Sequence, residues 1–311
     1  MENTQTLRRC LDLVEEFGQR NEKDAASRLH FYGAGENKDV YNITAPFEDG
    51  GAQYIAGRVE SRDSEYSQVV FFKGSGYEWT ADDALPRLDL QDPFVCRIDG
   101  QLVVGGVEVF DDEENPGQLN YRTVFYKGEH LAGLQRFTHG PDRMKDIRLH
   151  QLADGRVLVM TRPQGAVGGR GKIGWIILDD LSQLDIAHIE QATILEQQFL
   201  PEEWGGANEL HALGGSKVGV LAHIARYDEK GDRHYHSAAF VFDWSTGEYS
   251  PMKIIAMRCN FQDGPSKRPD LEDVIFSGGL VRLEGGKARL YCGVSDAEGH
   301  VITIDDPFQT V

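Results

Sequence analysis

Four stretches of this sequence repeat one scheme: a polar lead-in, a strand, a tight turn and an apolar second strand. They begin at Asp92 (DPFVCRIDGQLVVGGVEVF), Lys145 (KDIRLHQLADGRVLVMTRP), Gly206 (GANELHALGGSKVGVLAHIA) and Ser277 (SGGLVRLEGGKARLYCGVSD). The lead-ins supply Asp92, Lys145 with Asp146, Asn208 with Glu209, and Asp273 or Ser277. The ends of the second strands add Arg58, Glu60, Glu108, Arg162, His223 and Asp296. Carboxylates mixed with cations suit glycosyl transfer, in which an acid protonates a departing oxygen and positive charge is needed where phosphate takes part. Taken singly, an Asp or Asn before a strand reads more readily as a turn former bonded to its own backbone. Several in register with a repeat raise the case for a shared pocket.

The elements that would position them follow from the repeat. Asp-Gly or Gly-Gly sits at or near each turn, where positive φ is needed. The repeats are spaced by 145 − 92 = 53, 206 − 145 = 61 and 277 − 206 = 71 residues, room for a four-stranded unit and a loop, and AQYIAGRVESRDSEYSQVVFF (52–72) supplies one more unit ahead of them. After about residue 40 there is hardly any helical periodicity. The expected fold is all-β, a five-bladed β-propeller, because radial repetition leaves only short, protected strand edges. A β-sandwich of similar size is the alternative. The chain reads as a single domain over 1–311, with the propeller in 40–311 and an N-terminal helix within 1–20. Leu7, Leu11, Val14 and Phe17 stand at helical spacing, with Gly18 at the stop, and predict a helix packed on the main body. Innermost strands of a propeller begin near one end of the central channel, so polar lead-ins from distant stretches converge there. Pro93 is tolerated at the first position of such a strand.

Composition narrows the partners. Among 311 residues, 40% are apolar, enough for a substantial core, and 32 basic against 50 acidic residues give a net charge of −18. A field of that sign repels nucleic acid and anionic lipid. Cys10, Cys96, Cys259 and Cys292 lie far apart without zinc-ligand spacing and read as reduced thiols. No signal-peptide pattern and no membrane-length apolar run is present, so a cytoplasmic protein is expected. The glycine-rich RPQGAVGGRGKIGW (162–175) carries Arg162, Arg170 and Lys172, which could cradle a phosphate or a nucleotide. It lacks the Gly-Lys-Ser/Thr of a P-loop and reads equally as a flexible hairpin loop. His234 and His236 alternate on one strand face and read as surface residues more readily than as ligands. No metal and no cofactor is expected.

The stretches RVESRDSEYS, QDPFV, KDIRL, TRP, VGVLAHIA, DVIFSGGLV and LYCGVSDAEG stand in an order and spacing that resembles the β-mannoside phosphorylases, a family of five-bladed propellers. LQDPF, MKDIRL, the loop at 162–174, EWGGANELH and the N-terminal helix are closer still to the mannosyltransferase/phosphorylase group of intracellular β-1,2-mannan metabolism. The resemblance implies extension of a mannan from a sugar nucleotide such as GDP-mannose, and its shortening by inorganic phosphate with release of mannose 1-phosphate. It places the family's catalytic carboxylate on Asp92. Here the family's Glu-Asp-Pro-Arg becomes Gln91-Asp92-Pro93-Phe94, so a cation must come from elsewhere. His223 keeps the histidine of a Tyr-His-Gly motif whose glycine is Ile224.

The expected mechanism is inverting. Asp92 delivers a proton to the glycosidic oxygen, directly or through a substrate hydroxyl as the resemblance implies, while phosphate attacks the anomeric carbon from the other face. Asp146 and Glu209 are its expected supporting carboxylates, raising its pKa together with burial. Arg58, Lys145, Arg148, Arg162, Arg170, Lys172 and His223 are the candidates for phosphate or nucleotide binding. Asn42, Glu60, Asn208, His211 and Asp296 are those for sugar binding. Two other functions stay open: an inverting hydrolase, which needs two facing carboxylates and no cation clamp, and a carbohydrate-binding propeller without turnover.

Overall fold

A computed structural model describes residues 7–18, 26–113 and 115–309. Its strands form sheets of six, four, four and eight strands. His30–Tyr32 adds an outer strand to the first, and the last joins two units by parallel pairing of Arg233–Asp243 with Asp273–Arg282. The arrangement is consistent with five blades, I to V, in chain order around a channel. In blade I, Asp39–Tyr41 and Phe47–Asp49 form an interrupted inner strand against Ala52–Glu60, followed outward by Gln68–Ser75 and Glu78–Ala81. Blade II is Gln91–Ile98, Gln101–Asp111, Leu119–Gly128 and Gln135–His139. Blade III is Arg148–Gln151, Val157–Thr161, Gly174–Leu178 and Thr193–Ile194. Blade IV is Trp204–Gly214, Lys217–Tyr227, Arg233–Asp243 and Lys253–Ala256. Blade V is Asp273–Arg282, Lys287–Val294 and Glu298–Asp305, completed by Ser27–Arg28 from the other end of the chain. Strand pairing thus starts at Ser27, ahead of residue 40.

The apolar second strands are long because both their faces are buried. Val157 and Val159 pack toward blade II with Val103 and Phe125, while Leu158 and Met160 pack toward blade IV with Val218 and Val220. The same period-two division repeats at each junction, including the one between blades V and I, where Tyr291 and Val301 meet Ile55 and Phe72. Five cores therefore close the ring. Truncating Phe72 or Phe125 to alanine, both fully buried, would cost about 3–5 kcal/mol.

The helix is Cys10–Gly18, but the stripe expected from Leu7 and Leu11 is not its buried face. Leu11 is 50% exposed and Leu7 precedes the helix; Cys10 and Leu13 are buried, with Val14 and Phe17 packed beside them on the core between blades III and IV. Shifting the face by one residue exchanges Leu11 for Cys10, which a hydrophobic-residue count does not favour. All four cysteines are unpaired. Among the described residues no helix is long and apolar enough to cross a membrane.

Candidate active site

The inner strands run from one mouth of the channel to the other, and the mouth where they begin is called upper here. A cavity of about 180 Å3 there brings together residues from all five blades. Asn42 and Arg58 come from blade I, Asp92 from II, Lys145, Asp146 and Arg162 from III, His223 from IV and Asp296 from V. A wider cleft of about 470 Å3 shares Glu65, Gln91, Lys145, Arg162, Arg233 and Tyr235 with it.

Asn42, Asp92, Asp146 and Asp296 adopt positive φ angles of 44°, 48°, 59° and 49°. Asn and Asp tolerate that region better than other L-residues, so the same residues turn the backbone and face the cavity. The register shift between Gln91 and Phe94 lifts Asp92-Pro93 out of the ladder, where proline's missing N–H costs no hydrogen bond. Asp92 does not direct its carboxylate into its own bend. Its Oδ1 accepts from Asn42 Nδ2 at 2.7 Å and from Arg58 Nη1 at 3.1 Å.

Arg58 is fully engaged. Nε and Nη2 donate to Glu60 at 2.9 and 2.5 Å, Nη1 reaches Asp92, and the guanidinium lies 4.9 Å over the Tyr41 ring. Glu60 in turn accepts from the Tyr41 hydroxyl at 3.0 Å and from Lys267. It therefore lies behind Arg58 and holds it, where sugar contact had been expected. Lys145 and Arg162 are the cations with donors to offer. Lys145 is half-buried and has no ion pair among the described residues. Arg162 is fixed through Nε to Gly205 O at 2.9 Å, while Nη1, 3.3 Å from Asp146, makes no hydrogen bond. Two glycines clear the space. A Cβ on Gly206 would lie 2.9 Å from the His223 ring and 3.0 Å from Arg162, and one on Gly171 would lie 2.7 Å from the Arg162 guanidinium.

The electrostatics correct one expectation. Burial pushes Asp92 upward, but Arg58, then Lys145 and the Asn42 hydrogen bond, outweigh it and hold the carboxyl below the usual range. Asp146 is likewise held down against burial by Arg162, with Lys145 and Arg148 adding to it. Asp296 is the carboxyl that moves up, because burial exceeds the pull of Arg58. Burial drives His223 down to about 3, so it is neutral and not part of a cationic clamp. Its Nδ1 meets Asn208 Oδ1 at 2.8 Å, which leaves Nε2 as its second polar atom.

Four expected residues line the lower mouth, in a separate cavity of about 320 Å3: Arg148, Asn208, Glu209 and His211. The reason is strand rise. At about 3.3 Å per residue, Arg148 lies roughly 7 Å deeper than Asp146. Arg148 donates to Asn208 O and Ile147 O and stacks 4.7 Å over Phe94. Glu209 accepts from Leu280 N at 2.6 Å and pairs with His211 at 2.8 Å. Of the glycine-rich loop, Arg170 reaches the outer cleft, stacked near Trp204 and Tyr227, whereas Lys172 pairs outside it with Glu196 at 3.2 Å. Glu108 is held by Arg122 and Arg136, Asp273 by His234, and Ser277 by Ala222 O. His236, expected at the surface, is buried with neither nitrogen bonded among the described residues.

Sequence reasoning missed Lys267 and Arg268, which the loop after blade IV carries to the cavity, and Arg233 and Tyr235. The latter two alternate with His234 and His236 on the same strand, so the period-two reading of that strand pointed at the wrong face.

A family profile described as a protein of unknown function, DUF1861, matches residues 15–310. A mannose phosphorylase from Leishmania mexicana, solved in complex with phosphate ion, is 35% identical with a TM-score of 0.86, over 96% of this chain and 93% of that one. A GDP-Man-dependent mannosyltransferase from the same organism is 33% identical with a TM-score of 0.87, over 96% and 95%. A 4-O-beta-D-mannosyl-D-glucose phosphorylase from Bacteroides fragilis is 23% identical over 239 residues; the match covers 71% of this chain and spans 59% of that relative's length.

Proposed function

This chain belongs to the family described as a protein of unknown function, DUF1861, and to that of the Leishmania mannose phosphorylase and mannosyltransferase, and on that premise we propose that it is an inverting β-mannoside phosphorylase and mannosyltransferase. Its substrates are a β-1,2-linked mannooligosaccharide, inorganic phosphate, and GDP-mannose or a similar sugar nucleotide in the synthetic direction. The observation that carries the reading is that Lys145 and Arg162, cations with donors to offer, face the same cavity as Asp92.

Asp92 protonates the glycosidic oxygen as phosphate oxygen bonds to the anomeric carbon from the opposite face and the glycosidic bond breaks. Lys145 and Arg162 hold the phosphate, since ionised donors make the strongest hydrogen bonds to it. Arg58 holds Asp92 in place, and neutral His223 and Asn42, whose Oδ1 lacks a partner, meet sugar hydroxyls. Asp296, the carboxyl that retains its proton most readily, is a further hydroxyl partner. In synthesis the outer cleft with Arg170 receives the nucleotide. Hydrolysis is disfavoured because water needs no such clamp.

Purified protein incubated with a β-1,2-mannan oligomer should release mannose 1-phosphate only when phosphate is added. Free mannose at the same rate without phosphate would make it a hydrolase.

A further inference from the structure

Asp92 must carry a proton to act, yet Arg58 and Asn42 hold it as an anion, and Lys145, which adds to that hold, is a group an incoming anion would meet. From blade I, Arg58 and Asn42 bond its Oδ1. From blade III come Lys145, Asp146 and Arg162; from blade IV, neutral His223 and Arg233; from blade V, Asp296. Glu65, Lys267 and Arg268 complete the wall, and these three are tied to one another: Lys267 Nζ lies 3.2 Å and Arg268 Nη1 3.0 Å from Glu65. Arg233 pairs with Asp270. Among the described residues Lys145 thus has no ion pair, and Arg162 Nη1, 3.3 Å from Asp146, makes no hydrogen bond. Asp92 Oδ1 takes both hydrogen bonds, which leaves Oδ2 for a proton.

We propose that the anionic co-substrate and the proton on Asp92 bind as a pair: the negative charge of phosphate seated against Lys145 and Arg162 offsets the positive charge that Arg58 and Lys145 present to Asp92, and a proton from solvent fills Oδ2. This rests on the phosphorylase reading and deepens it by assigning the origin of the proton. The balance closes. Water supplies one proton as phosphate binds, Asp92 passes it to the glycosidic oxygen as the carbon–oxygen bond breaks, and it leaves as the new hydroxyl of the shortened mannan. In synthesis from mannose 1-phosphate the acceptor hydroxyl returns it to Asp92, and departure of phosphate releases it to water. The depressed pKa of Asp92 agrees with this geometry. By linkage the coupling is reciprocal, so anions bind more tightly as pH falls.

The test is calorimetry with inorganic sulfate, whose charge does not change near neutrality, in buffers of different ionisation heat. Uptake approaching about one proton per sulfate is expected at mildly acidic pH, with the sulfate Kd rising by up to about tenfold per pH unit above that window. Asp92→Asn should bind sulfate without proton uptake, and Asp296→Asn should keep the uptake. Sulfate binding by the unaltered protein with no uptake and a flat pH dependence overturns the pairing, as does uptake that survives Asp92→Asn and vanishes in Asp296→Asn. Failure of both sulfate and phosphate to bind overturns it as well. Mannose 1-phosphate formation is measured on the same preparations: its presence alongside a failed pairing leaves the phosphorylase reading standing, and its absence removes that reading by itself.

Discussion

The two mouths of the channel carry the same kinds of residue, a carboxylate, an arginine and a histidine, and differ in what those residues are bonded to. At the lower mouth Glu209 accepts from the backbone and lies 2.8 Å from His211, and Arg148 donates to two carbonyls. Among the described residues at the upper mouth, Lys145 has no ion pair, Arg162 Nη1 makes no hydrogen bond although it lies 3.3 Å from Asp146, and Asn42 Oδ1 and Asp146 Oδ1 are buried without a hydrogen-bond partner. Buried polar groups left without partners are costly, and they persist where a ligand completes them. Residue type alone did not separate the two mouths, and the lower one also leaves Asn208 Nδ2 and His211 Nε2 without a hydrogen bond among the described residues. What sets the upper mouth apart is Lys145, a cation without an ion pair among the described residues, beside Asp92.

The largest effect expected from that contrast is on turnover. Asp92→Asn should lower kcat by about 10²–10⁴-fold with an unchanged circular dichroism spectrum, while Glu209→Gln should stay within about twofold. An equal deficit in both would erase the distinction between the mouths. Next is the seat for phosphate. Lys145→Met should raise the KM for phosphate by about 10–100-fold, the equivalent of the 1.5–3 kcal/mol of a charged hydrogen bond, with His211→Ala leaving it unchanged; initial rates across phosphate concentration decide.

The smallest effect is on stability. His223 is buried and neutral, with its pKa brought down to about 3 by burial, whereas the unfolded chain's histidine titrates near 6.5. The unfolded state therefore binds more protons below that pH. The stability from keeping His223 neutral is complete above about 6.5 and declines as pH falls toward 3, by about 1.4 kcal/mol at pH 5.5. His150 at the lower mouth, brought down to about 4 by burial and His211, contributes nearly the same at pH 5.5 and less only as pH falls below about 4. Urea unfolding at pH 7 and 5.5 should show His223→Gln and His150→Gln each flattening the pH dependence, and unfolding near pH 4 should show the larger flattening for His223→Gln; the reverse order there would place the drier environment at the lower mouth.

Much of the fold was legible because it is written in local chemistry. Asp-Gly and Gly-Gly turns and apolar second strands spaced 53–71 residues apart can be satisfied by few architectures other than repeated blades. The Asn and Asp lead-ins were legible for a related reason, since the positive φ of Asn42, Asp92, Asp146 and Asp296 favours those residue types. Depth along the channel was not legible. Asp146, Arg148 and His150 are equivalent in an alternating pattern, yet Asp146 faces the upper cavity while Arg148 and His150 line the lower one. Nor did any local signal announce Lys267, whose ammonium contacts Glu60 more than two hundred residues away.

The sequence by itself determined the blades, their turns and the polar residues offered to the channel, because turn chemistry and period-two burial act between neighbours in the chain. Only the tertiary structure decided which of those residues share a cavity and which protonation state each one takes. Strand rise and blade packing set the distances between groups from different blades, and charge interactions depend on those distances rather than on sequence separation.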